Sequence, residues 1–168
     1  MFYPSETPTP LVGISFVRVT EKTLRTLIPI VLESWQDPTQ TSENARELLL
    51  SILDSERRSA LYMAVEKGQA IGYTQIAIRY EYAEGATVYP VASLRTLYVQ
   101  KRDDARPIAL QLIKLAEGYV HQFGIREFVS DCERSDIQTY EYLTYAGYRE
   151  VSERIHFHKR TDEPAPFS

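Results

Sequence analysis

The stretch from about 106 to 123 constrains this chain more than any other part of it. At helical spacing, Ile108, Ala109, Leu112, Ile113, Leu115, Ala116, Tyr119 and Val120 cover more than one face, so the helix has to be largely buried. A helix wetted on so little of its circumference needs a sheet to lie on, and the flanking segments read as strands. Residues 60–65 and 70–82 alternate as strands around the tight turn Lys67-Gly68-Gln69. A loop at Ala83-Glu84-Gly85-Ala86 leads to a strand of about 88–99, and 125–130 is a short apolar strand. A last strand is expected over about 148–159, with Val151, Ile155 and Phe157 on one side.

The remaining elements follow from the same periodicities. Residues 11–19 alternate as a strand, and Thr20 is the expected N-cap of a helix with the stripe Leu24, Leu27, Ile28, Val31, Leu32 and Trp35. Asp37-Pro38 ends that helix, because the proline ring cannot continue it. Thr41 or Ser42 caps a second helix buried through Ala45, Leu48, Leu49, Ile52 and Leu53, and Ser135 or Asp136 starts a later one that Gly147 ends. The order β-α-α-β-β-β-α-β-α-β, a meander of strands followed by strand–helix units, predicts an α/β fold. A central mixed sheet carries helices on both faces. Proline-rich residues 1–10 and the segment 161–168 read as flexible tails around a single domain over 11–160.

Charge and composition narrow the function classes. Lys and Arg total 19 against 23 Asp and Glu, a net charge of −4, which argues against nucleic-acid binding. No apolar run approaches the ~20 residues of a membrane span, and the first residues lack a secretory pattern, so a cytoplasmic location is expected. The one cysteine, Cys132, has no histidine beside it and reads as a buried thiol. His156 and His158 stand two apart with no acidic or cysteine neighbour, which reads as a solvated strand face and no metal site.

Four stretches carry a resemblance to a known superfamily over roughly 13–162. They are Leu32-Glu33-Ser34-Trp35-Gln36-Asp37-Pro38, Ala77 to Tyr82 with Pro90-Val91 beyond its glycine loop, Gln122-Phe123 through Asp131, and His156 to Asp162. In this order and spacing they resemble GNAT N-acyltransferases, specifically the branch of aminoglycoside 6'-N-acetyltransferases. The resemblance implies acetyl-CoA as acyl donor, a small-molecule amine as acceptor and a homodimer formed through sheet edges or C-terminal strands. It also implies a sheet that splays near Val99.

Laid on this sequence residue by residue, the family's site is altered. The pyrophosphate loop matches Asp104-Ala105-Arg106-Pro107-Ile108-Ala109, where Pro107 replaces a glycine and removes an N–H. Asp103 and Asp104 put negative charge there, against Lys101, Arg102 and Arg106. The strand backbone that receives the acyl-pantetheine arm matches Leu97, Tyr98 and Val99. The implied cofactor set is thus Leu97, Tyr98, Val99, Arg102, Arg106, Ile108 and Ala109. The family's base position holds Arg95, whose guanidinium cannot take a proton, and the acid position holds Leu143. Tyr140, one helical turn earlier, is the candidate stand-in acid or else a core or surface tyrosine. Asp131 matches an acidic site residue able to hold a cationic amine, and reads equally as an ordinary helix-initiating aspartate.

Two function classes follow. In the first, these departures have removed efficient acetyl-CoA-dependent catalysis, no acetyl-CoA need be bound, and the chain acts by binding a protein or small ligand. In the alternative, it is a divergent acetyl-CoA-dependent N-acetyltransferase for a primary amine of a small molecule. Positioning supplies much of the rate in a ternary complex, so altered acids and bases do not by themselves end turnover.

Overall fold

A computed structural model of the chain describes residues 11–55, 58–81, 83–160 and 162. The expected tails at 1–10 and 161–168, apart from Asp162, lie outside these, as does Tyr82 at the predicted end of a strand. The elements run β1 Ile14–Arg18, α1 Leu24–Trp35, α2 Ser42–Asp54, β2 Ser59–Glu66, β3 Gln69–Arg79, β4 Val91–Val99, α3 Ala105–His121, β5 Phe128–Ser130 and α4 Ile137–Tyr145. The strands form one sheet in the order β1-β2-β3-β4-β5, antiparallel except for the parallel pair β4 and β5.

Each sheet face carries its own apolar cluster. On one, Ile108, Leu112, Ala116 and Val120 of α3 lie against Ala64, Ile76, Ile78, Ala92 and Leu94, all buried. On the other, Leu27, Ile30 and Val31 of α1 and Leu49 of α2 cover Leu61, Met63 and Tyr73. The alternation of β2 and β3 between these faces is why both strands read as nearly continuous apolar runs.

Local chemistry explains where the helices begin. Thr41 accepts a hydrogen bond from the Asn44 N–H, and the Asn44 side chain accepts one from the Thr41 N–H, closing a capping box on α2. The expected cap Thr20 does not start α1. Its N–H donates to Thr23 Oγ1 at 2.9 Å, the two threonines close a separate turn, and the helix begins at Leu24. α1 then passes through Pro29, which forgoes one backbone hydrogen bond while Leu27, Ile30 and Val31 stay buried around it.

The expected last strand does not form. Residues 148–159 are in neither strand nor helix, and Val151, Ile155 and Phe157 are 69%, 82% and 94% exposed. Alternation is only half of what a strand needs; the other half is a neighbouring edge to receive its N–H and C=O groups. β5 is three residues long and pairs with β4, and the sheet ends with it. Among the described residues, the mixed sheet with helices on both faces therefore has five strands, not six.

Leu112 has no exposed surface in the cluster beneath α3. Leu112→Ala should lower unfolding free energy by roughly 2–5 kcal/mol. Denaturant titration reads this directly, and an unchanged midpoint would be inconsistent with the packing described.

Candidate active site

β4 is interrupted twice along its length. Its ladder with β3 slips between Gln75 and Ile76, which pair with Thr96 and Leu94, so Arg95 is the extra, unpaired residue of a bulge and points to solvent. On its other side, β4 pairs with β5 only from Ala92 to Leu94, opposite Phe128 to Ser130. The Ser130 hydroxyl donates to the Leu94 carbonyl at 3.3 Å, and beyond that point the strands part. The sheet therefore opens along Arg95–Val99, beginning at Leu94 and not near Val99 as the sequence suggested. An opening of this kind leaves one row of β4 backbone groups facing the gap, and such a row can take an extended ligand as it would take another strand.

Of the residues expected to line this opening, Leu97 is half-buried and Val99 is buried in the cluster under α3. Tyr98 belongs to a polar group on the opposite side. Its hydroxyl donates to Glu33 Oε1 at 2.9 Å, and Gln100 Nε2 donates to Glu33 Oε2 at 3.0 Å. Partial burial, then the carboxylate partner, push the Tyr98 phenol up to about 12.

The first turn of α3 follows β4 directly. Asp104 is its N-cap residue, yet its carboxylate makes no bond to the helix. Arg102 takes it instead, with Nε 2.7 Å from Oδ1 and a second contact of 3.1 Å. The same guanidinium grips Glu66 at the end of β2 through two contacts of 3.1 Å. Arg102 thereby ties the loop to β2, and its hydrogen bonds lower the pKa of both Glu66 and Asp104. Arg106 reaches the other way, 3.3 Å from Glu141 on α4 and with its guanidinium 4.3 Å above the Tyr145 ring. Both arginines expected at the phosphates are thus held by carboxylates of other elements. Ile108 and Ala109 have no exposed surface, and the Ile108 N–H donates to the Asp104 carbonyl at 3.3 Å, so neither residue presents a group to a ligand.

The acid and base candidates separate. Leu143 is buried. The Tyr140 hydroxyl is exposed and donates to Glu150 at 3.1 Å, and this bond raises its pKa. Asp131 follows β5 directly and lines a pocket of about 120 Å³ with Val129, Arg79 at the end of β3, Ala83 and Glu84 of the following loop, and Arg154. Arg154 comes from the segment after α4, which folds back on this loop. Its guanidinium lies 3.0 Å from Glu84, and Val151 sits over Gly85, where a Cβ would come within 2.7 Å of it. Arg134 to Glu153, at 2.7 Å, ties down the same segment. Arg79 lies in a stretch that carries the resemblance and Glu84 in the expected loop, but nothing in the sequence marked them or Arg154 as pocket residues; folding gathers them around Asp131. Cys132, expected to be buried, is exposed, and partial desolvation with the carboxylates of Asp136 and Asp131 raises its pKa, which keeps the thiol protonated. Among the described residues, no group of three or more histidines, cysteines and carboxylates converges on a metal position, and no helix is long and apolar enough to cross a membrane.

No protein-family model matches the chain. The chain is 27% identical over 143 residues to an aminoglycoside N(6')-acetyltransferase type 1 of Acinetobacter haemolyticus, covering 85% of this chain and 96% of that one. It is 27% identical to the corresponding protein of Serratia marcescens, over 74% of this chain and 84% of the relative. Among solved structures, the apo aminoglycoside 6'-N-acetyltransferase AAC(6')-IG of Acinetobacter haemolyticus superposes with a TM-score of 0.76 at 24% identity, covering 88% of this chain and 99% of that one. AAC(6')-Iy in complex with the bisubstrate analogue CoA-S-monomethyl-acetylneamine gives 0.78 at 23% identity, with 88% and 98% coverage. The fold is that of the GNAT enzymes, and the sequence resembles their aminoglycoside 6'-N-acetyltransferases.

The Arg102 clamp has a pH signature. Glu66 and Asp104 are lowered on folding, so the stability they contribute is complete above the ordinary carboxylate range and lost as pH falls through their depressed values. Denaturant titrations from neutral pH down to about pH 2 should show Arg102→Gln less stable than the native chain when neutral and converging with it in acid. A constant gap across that range would remove the clamp from the account.

Proposed function

We propose that this chain is an acetyl-CoA-dependent N-acetyltransferase acting on a primary amine of a small molecule. The opening of the sheet along Arg95–Val99, at the foot of α3, carries the reading, and the sequence likeness to aminoglycoside 6'-N-acetyltransferases supports it. The competing reading, a chain that has lost catalysis and only binds, rests on Pro107, Arg95 and Leu143 and on the carboxylates that hold Arg102 and Arg106; the comparisons support the acetyltransferase reading better.

Acetyl-CoA, when bound, supplies a thioester whose C–S bond breaks as the amine's new N–C bond forms. The backbone of β4 from Arg95 to Val99 would hold the pantetheine arm and polarise the acetyl carbonyl. At the α3 end the fit is looser: Pro107 brings no N–H, and Arg102 and Arg106 would have to share their carboxylate partners with phosphate. On the acceptor side, Asp131 would draw the ammonium form into the pocket and orient it. The ammonium then releases one proton to water to become the nucleophile. The second proton, lost from nitrogen as the amide forms, replaces through water the one Tyr140 gives to sulfur. Tyr140 would give a proton toward the departing sulfur; its raised pKa keeps it protonated at neutral pH, as an acid must be before it acts. Leu143 and Arg95 have no part in proton transfer.

Release of free thiol from acetyl-CoA in the presence of small primary amines tests the reading. Turnover is expected, with kcat reduced by Tyr140→Phe on the order of 10²-fold, the usual contribution of a positioned acid. Absence of thiol release with every amine would sink the proposal.

The same reading includes a homodimer. Ile155 and Phe157 stand almost wholly in water on the segment after α4, and a second copy that receives this segment at a sheet edge would cover them. Light scattering at micromolar concentration should give twice 19.4 kDa, and Phe157→Glu should return it to 19.4 kDa. A native chain that scatters at 19.4 kDa refutes the dimer.

A further inference from the structure

The acceptor pocket presents charges of both signs in balance. Arg79 and Arg154 face it from two separate segments, and Asp131 and Glu84 face it from two others. Glu84 is engaged with Arg154 at 3.0 Å, which holds that guanidinium at the rim. Asp131 makes no hydrogen bond or ion pair among the described residues, so it is the carboxylate in the pocket available to an ammonium. The bulged Arg95 adds a further cation on the neighbouring strand.

A polycationic acceptor is badly served by such a lining. Each additional ammonium needs a carboxylate, and two guanidiniums bound to the pocket walls would repel it. An acceptor with one amine and one carboxylate is well served. Its ammonium pairs with Asp131, and its carboxylate pairs with a guanidinium, whose planar donor fork matches two oxygens. The size agrees, because about 120 Å³ lies well below the ~300 Å³ at which drug-sized sites begin.

We propose that the acceptor is a small zwitterion of the amino-acid kind, its amine held by Asp131 and its carboxylate by Arg79 and Arg154. This rests on the acetyltransferase reading for its chemistry, though not for the binding itself. It sets the chain apart from relatives whose names specify an aminoglycoside.

The test compares L-amino acids, their amides, and kanamycin, measuring thiol release from acetyl-CoA and, separately, binding by calorimetry with CoA present. Amino acids should be preferred to their amides by about tenfold or more, the discrimination expected when one charge-assisted pair is lost. Arg79→Gln and Arg154→Gln should each reduce that preference; Arg154 lies on an exposed segment, so its variant remains informative if Arg79→Gln fails to fold. Amides or kanamycin bound as tightly as amino acids would overturn the inference, as would a preference that survives both variants. Kanamycin acetylated while amino acids are ignored would leave the acetyltransferase reading standing without it. Amino acids bound with the expected preference and no thiol released with any amine would do the reverse.

Discussion

Burying α3 removes apolar side chains on several helix faces from water at once, each worth about 25 cal/mol per Å², and with eight buried residues it buries more than any other described helix. Ile108, Leu112, Ala116 and Val120 meet strands β2, β3 and β4, and this contact fixes the helix axis against the sheet. Only residues 100–104 separate β4 from α3, so seating the body of the helix also seats its first turn at the carboxyl end of β4. The place where a β-strand ends and a buried helix begins is where sheet proteins of this kind bind ligands. Here that place is a consequence of core packing.

The second determinant is how little β5 offers. Three residues pair with β4 before the strands part, and the slip beside Arg95 twists β4 at the same level. A longer β5 would have closed the sheet and left no backbone to bind with. Its shortness also leaves the segment after α4 without a full edge to join. That segment folds back on the loop after β3, through Arg154 to Glu84 and Val151 over Gly85, and completes the pocket that Asp131 lines. A strand lost from the sheet thus becomes a wall of the site.

Electrostatics around α3 shows why counting charges along a loop misleads. Lys101 to Arg106 carries three cations and two anions, which reads as a weakly basic loop. In the fold, Arg102 is gripped by Glu66 from β2 as well as by Asp104, and Arg106 is turned to Glu141 and Tyr145 of α4. The charge that a phosphate would meet depends on carboxylates lying 36 and 35 residues away in the chain. Exchange of one carboxylate for another at such an arginine costs far less than desolvating it alone, which is how a guarded cation can still serve an anionic ligand.

The element types were legible because they rest on local periodicity. The helical stripe of α1, the cap at Thr41 and the all-round apolar surface of α3 each name their structure from spacing alone, and their order carried the family resemblance. Asp131 stood out as a candidate because it directly follows a strand, and it lines the pocket at the end of β5. What failed needed a partner outside its own segment. Residues 148–159 alternate as a strand should, yet no edge receives them; Thr20 reads as a cap, yet it closes a turn with Thr23. Arg79, Glu84 and Arg154 have no common spacing, and the bulge at Arg95 exists only in the register between two strands. Hydrophobic periodicity is written within a dozen residues, so the sequence by itself determined the helices, most strands and their order. Strand pairing, ion pairing and pocket walls join residues far apart in the chain, so only the tertiary structure decided where the sheet opens and which charges face the site.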